Sequence, residues 1–380
     1  MKILFVQKIS GISGSEKYLL ELLPYLTKNG FTCHFLGLSK KRDTEKNEGL
    51  LKRISNGGVT THLIFISGFN AFTFLFKIRR LLKKENYNIV QSNLIHADFW
   101  MSLVKRYYSK FRLVSGKHGF DETYLSKNGF NAVGYFNKYI LVQRFAEKRI
   151  EKSFFIGKRL MELFIDLKIS KREKSEIIYY GFDIPEVKST GSLGYRKNKN
   201  QLLIVGRLVK YKGHEYVIKA MTELRNRIPD LALVIVGDGE EKENLQKLVN
   251  DLQLNKHVHF EGYSGKVYEY MKNSDLLIVP SKAEGFGIII LEAFGCNLPV
   301  LAFDVPTCNE IIKDGENGYL VKPCDVTSII SRIQEIYLND QQKREAIIYN
   351  AMKKLREYYS LERMAEETIK FYNSVLFTNS

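Results

Sequence analysis

Two glutamates, Glu284 and Glu292, stand with seven residues between them in the stretch SKAEGFGIIILEAFG, which begins at Ser281. The first lies in a short loop with Gly285, Phe286 and Gly287, and the second falls inside the apolar run that follows. A carboxylate only accepts hydrogen bonds, so hydroxyl groups are its natural partners. The loop glycines and the helix that the apolar run predicts offer the opposite chemistry, unpaired N–H groups that favour an anion. A nucleotide sugar carries both kinds of group: phosphate oxygens for the amides, and ribose or sugar hydroxyls for the acids. A plainer reading also fits, with one acid favoured by the helix dipole and one exposed helical glutamate.

Other residues add to this constellation. Arg207 and Lys212 follow the strand-like run QLLIVG, where an arginine fork and a lysine point charge suit a diphosphate. Two solvated loop cations would look the same. The run LALVIVGDG ends in Gly237 and Gly239, but a lone G-x-G carries little, because strand-to-helix turns use glycine for backbone reasons. In the first half, His118 stands at a strand end between Gly116 and Gly119, and His96 follows another strand in NLIHADFW. A lone strand-end histidine is often structural; its flanking glycines and its place in the series favour a functional His118, and His96 stays open.

The elements that must position these residues alternate along the chain. Strand-like runs in the first half are KILFV, TCHFLGL, THLIFI, YNIVQS, FRLVSGKH and SEIIYYG, with helical stretches such as 16–27 and 134–152 between them. In the second half they are QLLIVG, LALVIVG, HVHFEG, DLLIVP, PVLAF and GYLV. Apolar runs separated by helices call for parallel sheets covered on both faces. The fold class is therefore α/β, with two doubly wound Rossmann-like domains facing each other across a cleft. Residues 1–184 form the first domain, the polar Pro/Gly/Ser-bearing segment 185–200 a linker, and 201–359 the second domain. A last helix spans 360–380.

Composition bounds the reading. The 380 residues, 44% hydrophobic and 26% charged, suit two globular domains. Cysteines at 33, 296, 308 and 324 form no C-x-x-C pair, which fits a reducing cytosol and does not suggest a disulfide framework or zinc site. No run is long and apolar enough to span a bilayer, and the short apolar N-terminus reads as a strand instead of a signal peptide. The net charge of +16 is lopsided: residues 1–180 hold 32 Lys+Arg against 15 Asp+Glu, and the remainder is almost neutral. A basic first half suggests an anionic partner, either a membrane surface or nucleic acid. Aromatic and basic residues mix in FNAFTFLFKIRRLLKKEN and in WMSLVKRYYSKFR, as an interfacial surface would require, although basic ends of sheet-covering helices read alike.

Taken in order, Arg207 and Lys212, VGDG, EGFGIIILEAFG and NEIIKDGENGYLV resemble the family-4 retaining glycosyltransferases of the GT-B fold (glycosyl transferases group 1). The E-x7-E pattern from Glu284 to Glu292 is that family's signature. ISGSEKYLLELLPYLTKNG, VSGKHG, IIYYGFD and the C-terminal helix from Ser360 resemble its first-domain segments, so the likeness covers nearly the whole chain. The resemblance implies that Arg207 and Lys212 bind the donor diphosphate and that Gly237 lies in the same donor pocket. It implies that Glu284 meets the donor sugar, with Gly285, Phe286 and Gly287 beside it, and that Glu292 binds ribose. It further implies that Gly14 brings backbone amides to the phosphate, that His118 lines the sugar, and that the C-terminal helix packs back on the first domain. Glu284, His118, Arg207 and Lys212 would be the catalytic set. No metal or other cofactor is expected, the nucleotide sugar being a substrate.

The implied function is transfer of a hexose or N-acetylhexosamine, UDP-linked, with retention, to a glycan or lipid-linked acceptor in bacterial cell-surface polysaccharide biosynthesis. The site of action is then the cytoplasm, with peripheral contact of the basic domain at an anionic membrane. The open alternatives are a same-fold nucleotide-sugar epimerase or phosphorylase-like enzyme, a GDP-mannose-dependent mannosyltransferase, and a basic binding protein for nucleic acid or anionic lipid. No nucleic-acid module is recognisable, so nucleic acid is not expected as a partner. Two departures from the family pattern stand out: Ser13-Gly14 replaces a Gly-Gly pair, and DVPTCNE, carrying Pro306, Thr307, Cys308 and Asn309, replaces a glycine loop before Glu310. DVPT resembles a branch found among surface-polysaccharide transferases.

Overall fold

The computed structural model describes residues 1–9, 14–40, 44–65, 71–120, 137–182, 200–338 and 341–377. These divide into two compact units, the first holding the chain up to residue 182 together with the segment from Tyr359, the second holding residues 200–358. Most of the expected linker, through residue 199, and Ser13 of the opening loop lie outside the described residues.

Unit 1 is built on a seven-stranded parallel sheet: β1 (Lys2–Lys8), β2 (Thr32–Ser39), β3 (Thr60–Phe65), β4 (Ile89–Asn93), β5 (Arg112–Lys117), β6 (Lys152–Phe155) and β7 (Ser175–Ile177). The strands run in the order β3-β2-β1-β4-β5-β6-β7. The order reverses between β1 and β4, where Gln7 lies opposite Asn93. β1 is buried through its centre on both faces, as a helix-covered parallel strand must be. Helices α1 (Gly14–Lys28), α2 (Thr44–Asn56), α3 (Ala71–Glu85), α4 (Leu94–Tyr107), α5 (Lys138–Glu147) and α6 (Lys158–Asp166) belong to this unit.

One reading of the sequence is corrected here. The stretch expected to be helical to residue 152 ends its helix at Glu147 and continues into β6. KSFF is four residues long and has no β-branched side chain, so nothing in its pattern announces a strand. Tertiary pairing makes it one, with Val114 opposite Lys152.

Unit 2 repeats the plan with six parallel strands: β8 (Asn200–Val205), β9 (Leu231–Val236), β10 (Val258–Gly262), β11 (Leu276–Val279), β12 (Val300–Phe303) and β13 (Tyr319–Val321). Their order is β10-β9-β8-β11-β12-β13, so the reversal falls between β8 and β11. Its helices are α7 (His214–Arg227), α8 (Lys242–Asp251), α9 (Val267–Lys272), α10 (Ile288–Gly295), α11 (Cys308–Ile311), α12 (Val326–Leu338) and α13 (Gln341–Tyr358). Both units are thus doubly wound α/β folds, as the alternation predicts.

A final helix, α14 (Leu361–Leu376), is capped by the Ser360 hydroxyl, which accepts from the Arg363 N–H. Its buried residues Met364, Thr368, Phe371, Tyr372 and Val375 make one face at helical spacing, packed on unit 1. Phe371 meets Phe154 edge-on at 5.5 Å, and the Tyr372 hydroxyl donates to Gln91 Oε1 at 2.5 Å. Gly181 allows this docking, because a Cβ there would lie 2.1 Å from the Ser360 carbonyl oxygen.

Candidate functional site

In a doubly wound sheet the loops at the switch point part to opposite faces and open a crevice beyond the strand ends. In unit 2 those loops are Gly206–Gly213 after β8 and Pro280–Gly287 after β11. Their close approach depends on glycine. Gly213 has φ +70°, and a Cβ on it would sit 2.0 Å from the Pro280 oxygen. The Lys282 N–H donates to the Tyr211 carbonyl at 2.8 Å, tying the two loops directly. Gly237 has φ +149° and faces the Gly206 oxygen, where a Cβ would come within 1.9 Å. Gly239 approaches the Leu208 oxygen in the same way, at 2.4 Å. The Gly206 and Leu208 amides then donate to Val236 and Asp238, and the Gly237 amide donates to Gly262. The VGDG motif therefore buttresses the Arg207 loop through its backbone.

At the centre of the crevice, Lys212 Nζ lies 2.5 Å from Glu284 Oε1, with side-chain exposures of 19% and 10%. The same carboxylate oxygen accepts from the Ser281 hydroxyl at 2.6 Å, and the Thr307 hydroxyl donates to the Glu284 carbonyl at 2.8 Å. Burial alone would lower the Lys212 pKa, but the charge and hydrogen bond of Glu284 outweigh it and hold the ammonium above the ordinary lysine range. His214, which opens α7, is 2% exposed. Burial, helped by the Lys212 charge, pulls its pKa down to about 4. Cys308 is buried nearby, with its thiol pushed well above the usual range by burial.

The other residues expected in unit 2 lie on the same two loops or on the helix that follows. Arg207 is exposed, and its Nη2 donates to the Tyr211 hydroxyl at 2.7 Å. Gly285 is exposed, Phe286 is buried, and Gly287 takes φ +78° as the N-cap of α10, whose first turn has no side-chain cap. Glu292, inside α10, is nearly buried and accepts from the Tyr268 hydroxyl at 3.3 Å. Ser281, Thr307, His214, Gly213 and Tyr268 were not singled out as site residues. Thr307 lay in the loop already marked as a departure; for the others, residue type alone carried no signal.

Unit 1 holds the remaining two. Gly14 is the first residue of α1. His118 follows β5, with Nε2 at 3.1 Å from Asn93 Oδ1 and Nδ1 at 2.7 Å from the Tyr180 hydroxyl. Asn93 Oδ1 can only accept, so Nε2 carries the proton and Nδ1 accepts from Tyr180. Tyr18 and Tyr180 pack against the ring, and Phe154 meets it edge-on. Burial, with the neighbouring Lys117 charge, pulls its pKa down to about 3, so it is neutral at physiological pH. Lys117 is itself buried between Asp98 (2.7 Å) and Glu147 (3.1 Å), which fastens β5 to α4 and α5. Lys212 and Glu284 thus meet at the unit 2 switch point, Arg207, Gly285, Phe286 and Gly287 belong to the same two loops, and Glu292 lies further along α10 against Tyr268, whereas Gly14 and His118 belong to the other unit.

Among the described residues, no helix is long and apolar enough to cross a membrane.

Two family models match in tandem: Glycosyltransferase Family 4 over residues 12–185 and Glycosyl transferases group 1 over residues 188–354. An uncharacterized glycosyltransferase of Methanocaldococcus jannaschii is 33% identical over 229 residues, 57% of this chain and 58% of that protein. The match spans about half the length of the first curated relatives. One relative aligns almost throughout, at 25% identity over 95% of this chain and 96% of its own. It is the N-acetylgalactosamine-N,N'-diacetylbacillosaminyl-diphospho-undecaprenol 4-alpha-N-acetylgalactosaminyltransferase of Campylobacter jejuni. Among solved structures, Anabaena HepE in complex with UDP superposes with a TM-score of 0.82 at 21% identity, covering 98% of this chain and 100% of that one. With both family segments in tandem over nearly its whole length, the chain belongs to the group 1, family 4 glycosyltransferases of GT-B fold.

Proposed function

We propose that the chain is a retaining glycosyltransferase. It moves a hexose or N-acetylhexosamine from a UDP-linked donor to a glycan or lipid-linked acceptor in cell-surface polysaccharide biosynthesis. The observation that carries this reading is the Lys212–Glu284 pair at the unit 2 switch point, with Arg207 on one side and the uncapped start of α10 on the other. Cation and carboxylate side by side suit a ligand in which phosphate and sugar hydroxyls are adjacent. Lys212 and Arg207 take the diphosphate, Glu284 takes the donor sugar, and Glu292 takes the ribose. As the anomeric C–O bond to the diphosphate breaks, the acceptor oxygen adds on the same face of the sugar. The acceptor's proton passes to the departing phosphate oxygen. Arg207, Lys212 and the backbone amides near Phe286 and Gly287 hold the charge that develops there.

The names of the relatives support a lipid-linked acceptor and a uridine nucleotide: one acts on a diphospho-undecaprenol-linked glycan, and another was solved with UDP. The surface of α3 suits peripheral contact with an anionic membrane. Phe76 is 68% exposed, with Lys77, Arg79, Arg80, Lys83 and Lys84 also outward, while Phe74, Ile78 and Leu82 face the core. Part of the second aromatic–basic run is turned inward: Trp100 packs on Phe74 at 4.5 Å, and Lys105 pairs with Glu151.

Thermal-shift titration with UDP and GDP tests the donor. UDP should raise the melting temperature more than GDP does. A stronger response to GDP would move the donor to a GDP-linked sugar, and no response to any nucleotide or nucleotide sugar would overturn the reading.

A further inference from the structure

The two hydrogen bonds that clamp the His118 ring lead to the same element, the C-terminal helix α14. One path starts at Tyr372, which is fully buried. The Tyr372 hydroxyl donates to Gln91 Oε1 at 2.5 Å, and the Gln91 amide N–H donates to Asn93 Oδ1 at 2.9 Å. His118 Nε2–H donates to that same Asn93 oxygen at 3.1 Å. Gln91 and Asn93 are both buried on β4. Asn93 Nδ2 is buried without a hydrogen-bond partner, so the orientation of this amide rests on Gln91. The orientation of Gln91 rests in turn on Tyr372, because an amide oxygen that accepts the hydroxyl proton leaves the amide N–H for Asn93.

The other path runs through Tyr180, whose hydroxyl donates to His118 Nδ1 at 2.7 Å. Tyr180 is buried in a segment tied at one end to β6, where the Ile178 N–H donates to the Phe155 carbonyl at 2.9 Å. Its other end is tied to the start of α14. The Gly181 N–H meets the Met364 sulfur at 3.1 Å, and the Phe182 N–H donates to the Tyr359 carbonyl at 2.9 Å. Gly116 makes room for the arrangement: it stands opposite Asn93 in the sheet, and a Cβ on it would lie 2.7 Å from both Asn93 Oδ1 and His118 Nε2. Each donor of this buried chain meets an acceptor, and such chains polarise their members and hold protons in place.

We propose that the C-terminal helix sets the tautomer and the position of the His118 ring, which makes Tyr372, Gln91, Asn93 and Tyr180 positioning residues for transfer. This rests on the reading of the chain as a transferase in which His118 lines the sugar. The ring so held carries its proton on Nε2, and its one lone pair is occupied by Tyr180. It can share the Nε2–H with a sugar oxygen but has no lone pair with which to take the acceptor's proton. That agrees with passage of the proton to the departing phosphate oxygen. Docking of α14 and orientation of His118 are therefore coupled.

The test is proton–nitrogen NMR of the full chain carrying isotope-labelled histidine, with the His118 signals identified by their loss in His118→Gln. The expected result is a proton on Nε2 alone. Asn93→Leu should move it to Nδ1, where the Tyr180 oxygen accepts it. Tyr372→Phe releases the Gln91 amide and should give a mixture of the two tautomers. The same variant should lower kcat for transfer about tenfold, with KM for the nucleotide sugar nearly constant and UDP affinity unchanged. Val375→Ala removes buried volume from the same helix but no member of the chain of hydrogen bonds, so tautomer and kcat should both be kept. Tyr180→Phe gives an independent reading should Asn93→Leu fail to fold: it frees the Nδ1 lone pair, so His118 should titrate at higher pH than in the parent chain. UDP binding, measured separately, reports on the transferase reading; its absence would fault that reading while the tautomer still decides the positioning. A proton on Nδ1 in the parent chain, or an Nε2–H tautomer unchanged in both Asn93→Leu and Tyr372→Phe, would overturn the proposal. So would an equal fall in kcat for Val375→Ala and Tyr372→Phe.

Discussion

Replacing Glu284 by glutamine should tighten binding of UDP while it abolishes most transfer. In the empty site Lys212 and Glu284 neutralise each other at 2.5 Å, with little of either side chain exposed. UDP offers a diphosphate to Lys212 but no hexose to Glu284, so it must draw the ammonium away and leave a desolvated carboxylate without its partner. Two charges about 3 Å apart attract by roughly 5 kcal/mol at an effective dielectric near 20. The crevice opens to solvent and the amide oxygen of the substituted glutamine still accepts from the ammonium, so we take about a third of that, or roughly 1.5–2 kcal/mol, as relief from competition. The expected gain is therefore about tenfold to thirtyfold in UDP affinity. Transfer should fall about a hundredfold, since the carboxylate facing the donor sugar is gone. Folding stability should also drop, because the Lys212 charge is left uncompensated. Calorimetry with UDP, beside turnover of the intact nucleotide sugar, reads both signs. Weaker UDP binding in Glu284→Gln, or transfer that is unaffected, would refute the reasoning.

Other outcomes follow from the same geometry. Glu292→Ala should weaken UDP binding about tenfold to a hundredfold with a smaller effect on turnover of bound donor, read as a KM change with kcat nearly constant. Gly213→Ala and Gly237→Ala should each destabilise unit 2 by about 2–4 kcal/mol in chemical denaturation, since each Cβ would meet a backbone oxygen at 2.0 Å or less. Burial lowers the pKa of His34, His62, His118 (to about 3) and His214 (to about 4), so folding favours their neutral forms. That stabilisation is complete above the unfolded pKa near 6.5 and is lost as pH falls towards the folded values. Stability should then decline between about pH 6.5 and 4, by up to roughly 1.4 kcal/mol per pH unit for each histidine. A flat stability profile over that range, from urea melts at stepped pH, would contradict it. Replacing Lys77, Arg79 and Arg80 by glutamine should weaken sedimentation with phosphatidylglycerol vesicles by about 1 kcal/mol per charge at low salt.

The fold was largely legible because parallel strands buried on both faces leave continuous apolar runs, and the alternation with helices survives in the sequence. β6 was not, because KSFF owes its strand geometry to pairing with β5 and not to its own pattern. The site was legible as a set of residue types: Arg207, Lys212, Glu284 and Glu292 can be listed from spacing and resemblance. Their arrangement was not. Nothing local links Lys212 to Glu284, seventy-two positions apart, and only the switch point brings their loops together. Gly237 shows the opposite limit: its motif was visible, but the Gly206 carbonyl that it must accommodate lies on another strand's loop. His118 could be placed at a strand end, whereas its engagement with Asn93 and Tyr180 depends on three separate segments.

The central claim is tested most directly by incubating the purified chain with a panel of labelled nucleotide sugars and membrane lipid extract, then determining the anomeric configuration of the product. The account predicts that one UDP-sugar is consumed, that UDP is released and that the glycosidic bond keeps the donor's configuration. It predicts loss of all three in the Arg207→Ala/Lys212→Ala variant. Consumption of no nucleotide sugar, an inverted product, or full activity without Arg207 and Lys212 would contradict it.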